Sequence, residues 1–138
     1  MGINARGLND FRLMADANIE ACYFSEALDA LTKVRTLVAQ PEYLDAIELL
    51  QGKLLSRWGA DKAAEAEKCF RSAIETSRNF NHKMAELQAT SGLARLLASR
   101  GSRDEAQAML VEIYNWFTEG FDTADLKEAK ALLDELSV

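Results

Sequence analysis

The sequence predicts an all-α chain. The expected architecture is a right-handed α-solenoid of about three helix-turn-helix repeats plus a C-terminal capping helix, in a single domain over residues 1–138. Three observations predict it. The chain is rich in Ala, Leu, Glu, Lys and Arg and has one proline and seven glycines, so strong helix formers dominate and breakers are few. Apolar residues recur at spacings of three and four, the period of an amphipathic helix. The pair Glu-Ala occurs at 26–27, 65–66 and 105–106, with spacings of 39 and 40. Self-similarity at a fixed period marks a repeat array.

The first helix is expected over Leu8 to Ala21, which carries Leu8, Phe11, Met14, Ala15 and Ile19. After Ala27 come Leu31, Val34 and Val38, which share one face of a second helix. Pro41 suits the first turn of a third, since its missing N–H is unneeded there. That helix runs to Trp58 through Leu44, Ile47, Leu50, Leu54 and Leu55, and Gly59 ends it. Ala66, Phe70, Ala73 and Ser77 repeat the buried face, and 79–81 reads as a break. Lys83 to Ser99 carries Met84, Leu87, Leu93, Leu96 and Leu97 and stops at Gly101. Ser102 and Glu105 have the spacing of a capping box. Ala106, Leu110, Ile113 and Phe117 form the third copy, ended by Gly120. Asp122 or Thr123 caps a final helix with Leu126, Ala129, Leu133 and Leu136 on one face. The repeats thus span roughly 8–40, 41–80 and 82–119, with the capping helix over 122–136.

Tyr114, Trp116, Phe117 and Phe121 gather the largest side chains just before the end. The last repeat of a stack has no neighbour, so one apolar face needs cover. Tyr114 and Phe117 continue the stripe of Ala106, Leu110 and Ile113, which favours a structural cap. The other reading is a ligand pocket, because aromatic clusters also bind ligands.

Composition excludes several classes. The formal net charge is −6, which suits neither sequence-independent phosphate binding nor an anionic membrane surface. No nucleic-acid or membrane partner is expected. No apolar run approaches the ~20 residues of a membrane span. The first ten residues lack the apolar core of a signal peptide, and Arg6 breaks the Met-Gly acylation pattern. A cytoplasmic location is expected. Cys22 and Cys69 form neither a disulfide framework nor a metal knuckle, and Cys69 reads as a small buried hydrophobe. His82 is the single histidine, in a loop between repeats, where a surface side chain is expected. The chain has no phosphate loop, dinucleotide fingerprint or Gly-x-Ser-x-Gly elbow. Its carboxylates, as at Asp125 and Glu128 beside Lys127 and Lys130, read as solvated helix faces. No catalytic residue, metal site or cofactor is expected, and no enzyme activity.

Gly101 to Ala106, followed by Leu110 and Ile113, resembles the tetratricopeptide pattern. Gly52 and Ala94 match the small residue at which the two helices of such a repeat approach. Ala66, Phe70 and Ala73 match the second helix. The period is near 40 instead of about 34, Gly59 to Ala66 is two residues longer than Gly101 to Ala106, and Ile113 stands where the pattern has a small residue. The helices are therefore expected to be longer than the family norm.

Residues 64–136 look like the C-terminal repeats of large bacterial regulators. Those proteins join a nucleotide-cyclase-like or DNA-binding domain to an ATPase module. The segment Trp-Phe-Thr-Glu-Gly-Phe-Asp-Thr carries most of that likeness. The resemblance implies a regulatory or scaffolding role without cyclase or ATPase activity.

The family's groove positions, carried over, are Arg12, Asp16, Leu49, Lys53, Arg57, Gln88, Ser91 and Arg95. Lys53, Arg57 and Arg95 then form a basic strip suited to an acidic peptide or a C-terminal carboxylate, which arginine grips in a bidentate fork. Asp16 stands where chaperone-binding members have Asn. The competing reading is a set of ordinary solvated cations. The function expected is a protein or peptide interaction module of bacterial signalling; the alternative is an effector-sensing domain that binds a small molecule. A homodimer through Phe11, Leu13 and Met14, which have no preceding helix to cover them, is compatible with both.

Overall fold

The computed structural model describes residues 13–14, 17–19, 23–37 and 43–137. These residues are all-helical, with no strand among them. Six α-helices follow in order: α1 Phe24–Leu37, α2 Leu44–Trp58, α3 Ala63–Asn79, α4 Lys83–Ser99, α5 Arg103–Tyr114 and α6 Ala124–Leu136. A 3-10 turn, Ala60–Lys62, precedes α3 and accounts for the longer connection there. Most of the opening helix expected over Leu8 to Ala21 lies outside the described residues, as do Arg12, Asp16, Cys22, Val38 and Pro41. Within that stretch Leu13 and Met14 are exposed and Ile19 is buried.

The Glu-Ala repeat has a direct structural counterpart. Glu26, Glu65 and Glu105 each occupy the third position of α1, α3 and α5. There the acidic side chain faces the positive end of the helix dipole. The following alanines, Ala27, Ala66 and Ala106, are fully buried. Leu31 and Val34, Phe70 and Ala73, and Leu110 and Ile113 continue the buried stripe in each helix. Three copies of one amphipathic pattern therefore bury the same face.

Each helix packs on the next in sequence, and α4 also touches both α2 and α6. This central position explains the character of α4. Besides its leucines it buries Glu86, Ala89, Thr90, Ser91 and Ala94. The apolar core has two parts. One joins Ile19 and α1 to Ile47, Leu50 and Leu54 of α2. The other joins Leu49 and Leu55 of α2 to α3, α4, α5 and α6. Trp58 packs against both parts.

Phe70 is the largest fully buried side chain. Burying such a ring stabilises the fold by roughly 1.5–3 kcal/mol. The edge of its ring carrying Cδ1 and Cε1 fits a notch made by two glycines. A Cβ on Gly52 of α2 would lie 2.7 Å from that edge, and one on Gly92 of α4 would lie 2.5 Å from Cε1. The small residue in the second of these helices is thus Gly92, forty positions after Gly52. Ala94, which the tetratricopeptide pattern selects, is buried elsewhere in the core.

Two helix ends share one device. At the end of α3 the His82 amide donates to the Ser77 carbonyl at 2.8 Å, with Asn81 at φ +56°. At the end of α4 the Ser102 amide donates to Leu97 at 2.8 Å, with Gly101 at φ +89°. Both are Schellman caps, which need a left-handed residue after the helix. Gly59, by contrast, ends α2 in extended backbone.

The expected capping box at Ser102 does not form, because the Glu105 carboxylate accepts from Arg71 of α3 at 3.2 Å instead. Thr123 does precede α6, but its hydroxyl donates to the Gly120 carbonyl at 2.8 Å.

The helix expected to reach Gly120 stops at Tyr114. Its last turn tightens into bonds three residues long, from Trp116 to Ile113 and from Phe117 to Tyr114. The tightening parts the four aromatics. Tyr114 and Phe117 pack on the core, while Trp116 and Phe121 are 56% and 45% exposed. Phe121 lies against Tyr114 with ring centroids 5.7 Å apart. Trp116 meets the edge of Phe117 and carries the Lys83 ammonium 5.4 Å above its ring. In α6 the buried residues are Leu126, Ala129, Leu132 and Leu136, so Leu132 takes the place expected of Leu133.

Candidate functional site

A half-open cavity of about 640 Å3 forms where α2, α4 and α6 come together. Helical spacing delivers its side chains. Lys53, Ser56 and Arg57 come from adjacent turns of α2, Gln88, Ser91 and Arg95 from α4, and Asp125 and Glu128 from α6. Residues three and four apart on a helix project on one side. Gly92 has no side chain, so the cavity reaches through α4 to the ring of Phe70.

Of the groove candidates, Lys53, Arg57, Gln88, Ser91 and Arg95 all line this one cavity. Leu49 does not: it is buried in the core behind it. Arg12 lies outside the described residues. The sequence reading missed Asp125 and Glu128, because it took the capping helix only as a cover.

Among the described residues, three cationic side chains and two carboxylates line the cavity. Lys53, Arg95 and Glu128 make no hydrogen bond or ion pair among the described residues. Gln88 donates its amide to Asp125 at 3.0 Å, which ties α4 to α6. Ser91 is only 7% exposed, and its hydroxyl makes no hydrogen bond among the described residues.

A second polar cluster lies where the start of α2 meets the end of α3 and the start of α4. Asp45, Glu48 and Glu86 are all nearly buried, against the expectation that carboxylates sit on solvated faces. Most of their side-chain partners come from other elements. Asp45 accepts from Ser77 at 3.3 Å and lies 2.8 Å from Nδ1 of His82. Glu48 accepts from the Ser72 hydroxyl and from Thr76 at 3.0 Å. Glu86 accepts from Arg78 at 3.0 Å and has Lys83 at 3.5 Å. His82 is in its expected loop, but its ring turns inward to Asp45 and is only partly exposed.

Asp45, His82 and Ser77 have the residue types of a hydrolytic triad without the geometry. The serine hydroxyl meets the carboxylate, whereas a nucleophile must meet the imidazole. The cluster instead ties three helices together. Burial pushes the Glu48 carboxyl above its ordinary range, against the opposing pull of the Thr76 hydrogen bond and of Arg35. Burial, then the nearby Glu48 charge, pushes the Cys69 thiol up as well, which disfavours the reactive thiolate.

Among the described residues no group of His, Cys, Asp and Glu could hold a metal ion, and no helix is long and apolar enough to cross a membrane. No protein-family model, no curated protein and no solved structure matches the chain.

Proposed function

We propose that this chain is a non-enzymatic interaction module that binds a peptide segment or partner helix of another protein in the cavity between α2, α4 and α6. One observation carries the reading. A cavity of about 640 Å3 gathers Lys53 and Arg95, neither with a partner among the described residues, beside the unbonded hydroxyl of Ser91. Charged and hydroxyl groups gathered at a concave surface without an internal partner are groups that a bound partner can engage.

The packing supports reading the chain as a tetratricopeptide-like α-solenoid. Helices α2 and α4, and α4 and α6, touch each other directly, with α3 and α5 packed between successive members. Alternating layers of this kind leave an extended concave face, which repeat proteins use for binding. A scaffolding role in bacterial regulation rests on the sequence resemblance.

Random-peptide display on the immobilised chain tests the reading. A family of peptides should be enriched whose binding saturates. Binding should fall at least tenfold in the Lys53→Glu/Arg95→Glu variant while its circular dichroism stays that of the parent. Enrichment of nothing, or binding indifferent to both reversals, overturns the groove assignment.

The volume itself favours a second reading, an effector-sensing domain, because small-molecule pockets occupy roughly 300–1,000 Å3. A metabolite that raises the melting temperature saturably would establish it.

A further inference from the structure

The cavity is polarised, and its polarity specifies more than a general taste for acidic peptides. Lys53 and Arg95 stand on α2 and α4, whereas Glu128 and Asp125 stand on α6. Among the described residues no ion pair joins Lys53, Arg95 or Glu128 to another side chain, and Asp125 accepts from the neutral amide of Gln88. Two cations without an ion-pair partner among the described residues therefore stand on α2 and α4, and carboxylates without one stand on α6.

Ser91 lies one turn before Arg95 on the central helix and lines the cavity, its hydroxyl without a hydrogen-bond partner among the described residues. Its hydroxyl can donate to an oxyanion held by its neighbour one turn on, Arg95.

Resting on the peptide reading above, we propose that the groove takes a peptide of segregated charge: an acidic stretch lies across α2 and α4, and a basic residue lies against α6. Packed helices are roughly 8–10 Å apart, so α2 to α6 spans roughly 16–20 Å. An extended segment rising about 3.3 Å per residue covers that in about six residues. Carboxylates of the acidic part meet Lys53, Arg95 and the Ser91 hydroxyl, and the basic side chain meets Glu128. A uniformly acidic peptide brings like charge against Glu128 and Asp125, and like-charge contacts are what exclude wrong partners at an interface.

The peptides enriched by display on the wild-type chain read out this segregation directly. They should share an acidic stretch and a basic residue within about six positions. A synthetic peptide of the same length with the basic residue replaced by Glu should bind at least tenfold more weakly to the wild type, which requires no variant to fold. Display on Lys53→Glu/Arg95→Glu should lose the acidic preference alone. Display on Glu128→Lys should lose the basic preference and enrich acidic residues throughout. Enriched peptides that are uniformly acidic, or that bind as well once the basic residue is replaced by Glu, overturn the charge segregation and leave the peptide reading standing. A library that enriches nothing on the wild type removes the peptide reading, and this inference with it.

Discussion

Glu48 shows how a residue's partners decide its effect on stability. It is buried between α2 and α3, and burial raises its carboxyl above the ordinary glutamate range despite the hydroxyls of Ser72 and Thr76. A carboxyl whose folded value lies above its unfolded value binds more protons in the folded state. Its ionisation therefore weakens folding as pH rises through the interval between the two values, and the penalty is complete above it. Glu48→Gln removes the titration. The melting temperature of the wild type, relative to Glu48→Gln, should fall as pH rises from the ordinary glutamate value through the raised value of the folded chain. Thermal melts of both chains at each pH measure it, and a difference that is constant with pH would refute it. The altered hydrogen bonding of the amide adds an offset that does not change with pH. These carboxylates were illegible in the sequence for a simple reason. Asp45, Glu48 and Glu86 look like helix-surface acids, and the hydroxyls that hold Asp45 and Glu48 come from α3, 24 to 32 residues away.

At the scale of elements, apolar periodicity carried most of the information. Lys83 to Ser99 was expected as a helix and is one, because seventeen residues offer many repeats of a single signal. Helix ends depend on fewer atoms and were less legible. Glu105 was expected to fold back on Ser102, but Arg71 from the preceding repeat draws it away. The meeting of α2 with α4 was half legible. Gly52 stood out, but its counterpart Gly92 is recognisable only once Phe70 is seen against both. Gly92→Ala gains about 1 kcal/mol of helix propensity and incurs about 1–3 kcal/mol of overpacking against the ring. A net loss of about 1 kcal/mol is expected by urea denaturation. In a Phe70→Leu background the clash is relieved and the same substitution should be neutral or stabilising. Equal costs in the two backgrounds would show that ring and glycine are not coupled.

For the whole molecule, the divided core sets how stability is distributed. Helix α1 is held by the part of the core it shares with α2, while α3 to α6 share the other part. Leu31 is fully buried in the α1 part, and Leu→Ala at such a site costs about 2–5 kcal/mol. In Leu31→Ala, amide exchange should accelerate across 24–37 and stay near wild-type rates across 103–136. Hydrogen-exchange mass spectrometry decides this, and uniform acceleration along the chain would show one cooperative unit.

The groove was legible only along the helices that family likeness singled out. Lys53 and Arg95 could be placed by their position in a repeat. The acidic wall on α6 could not, because nothing in the sequence brings residues 125 and 128 beside residues 53 and 95.

The ring of Phe70 touches this groove as well as the two glycines, which gives it a mechanical meaning. The distance between the jaws of the groove, α2 and α4, is gauged by a rigid arene edge wedged between bare backbones, where an aliphatic side chain would let them drift. Whatever the mouth grips, its aperture is machined from behind by one almost wholly buried side chain.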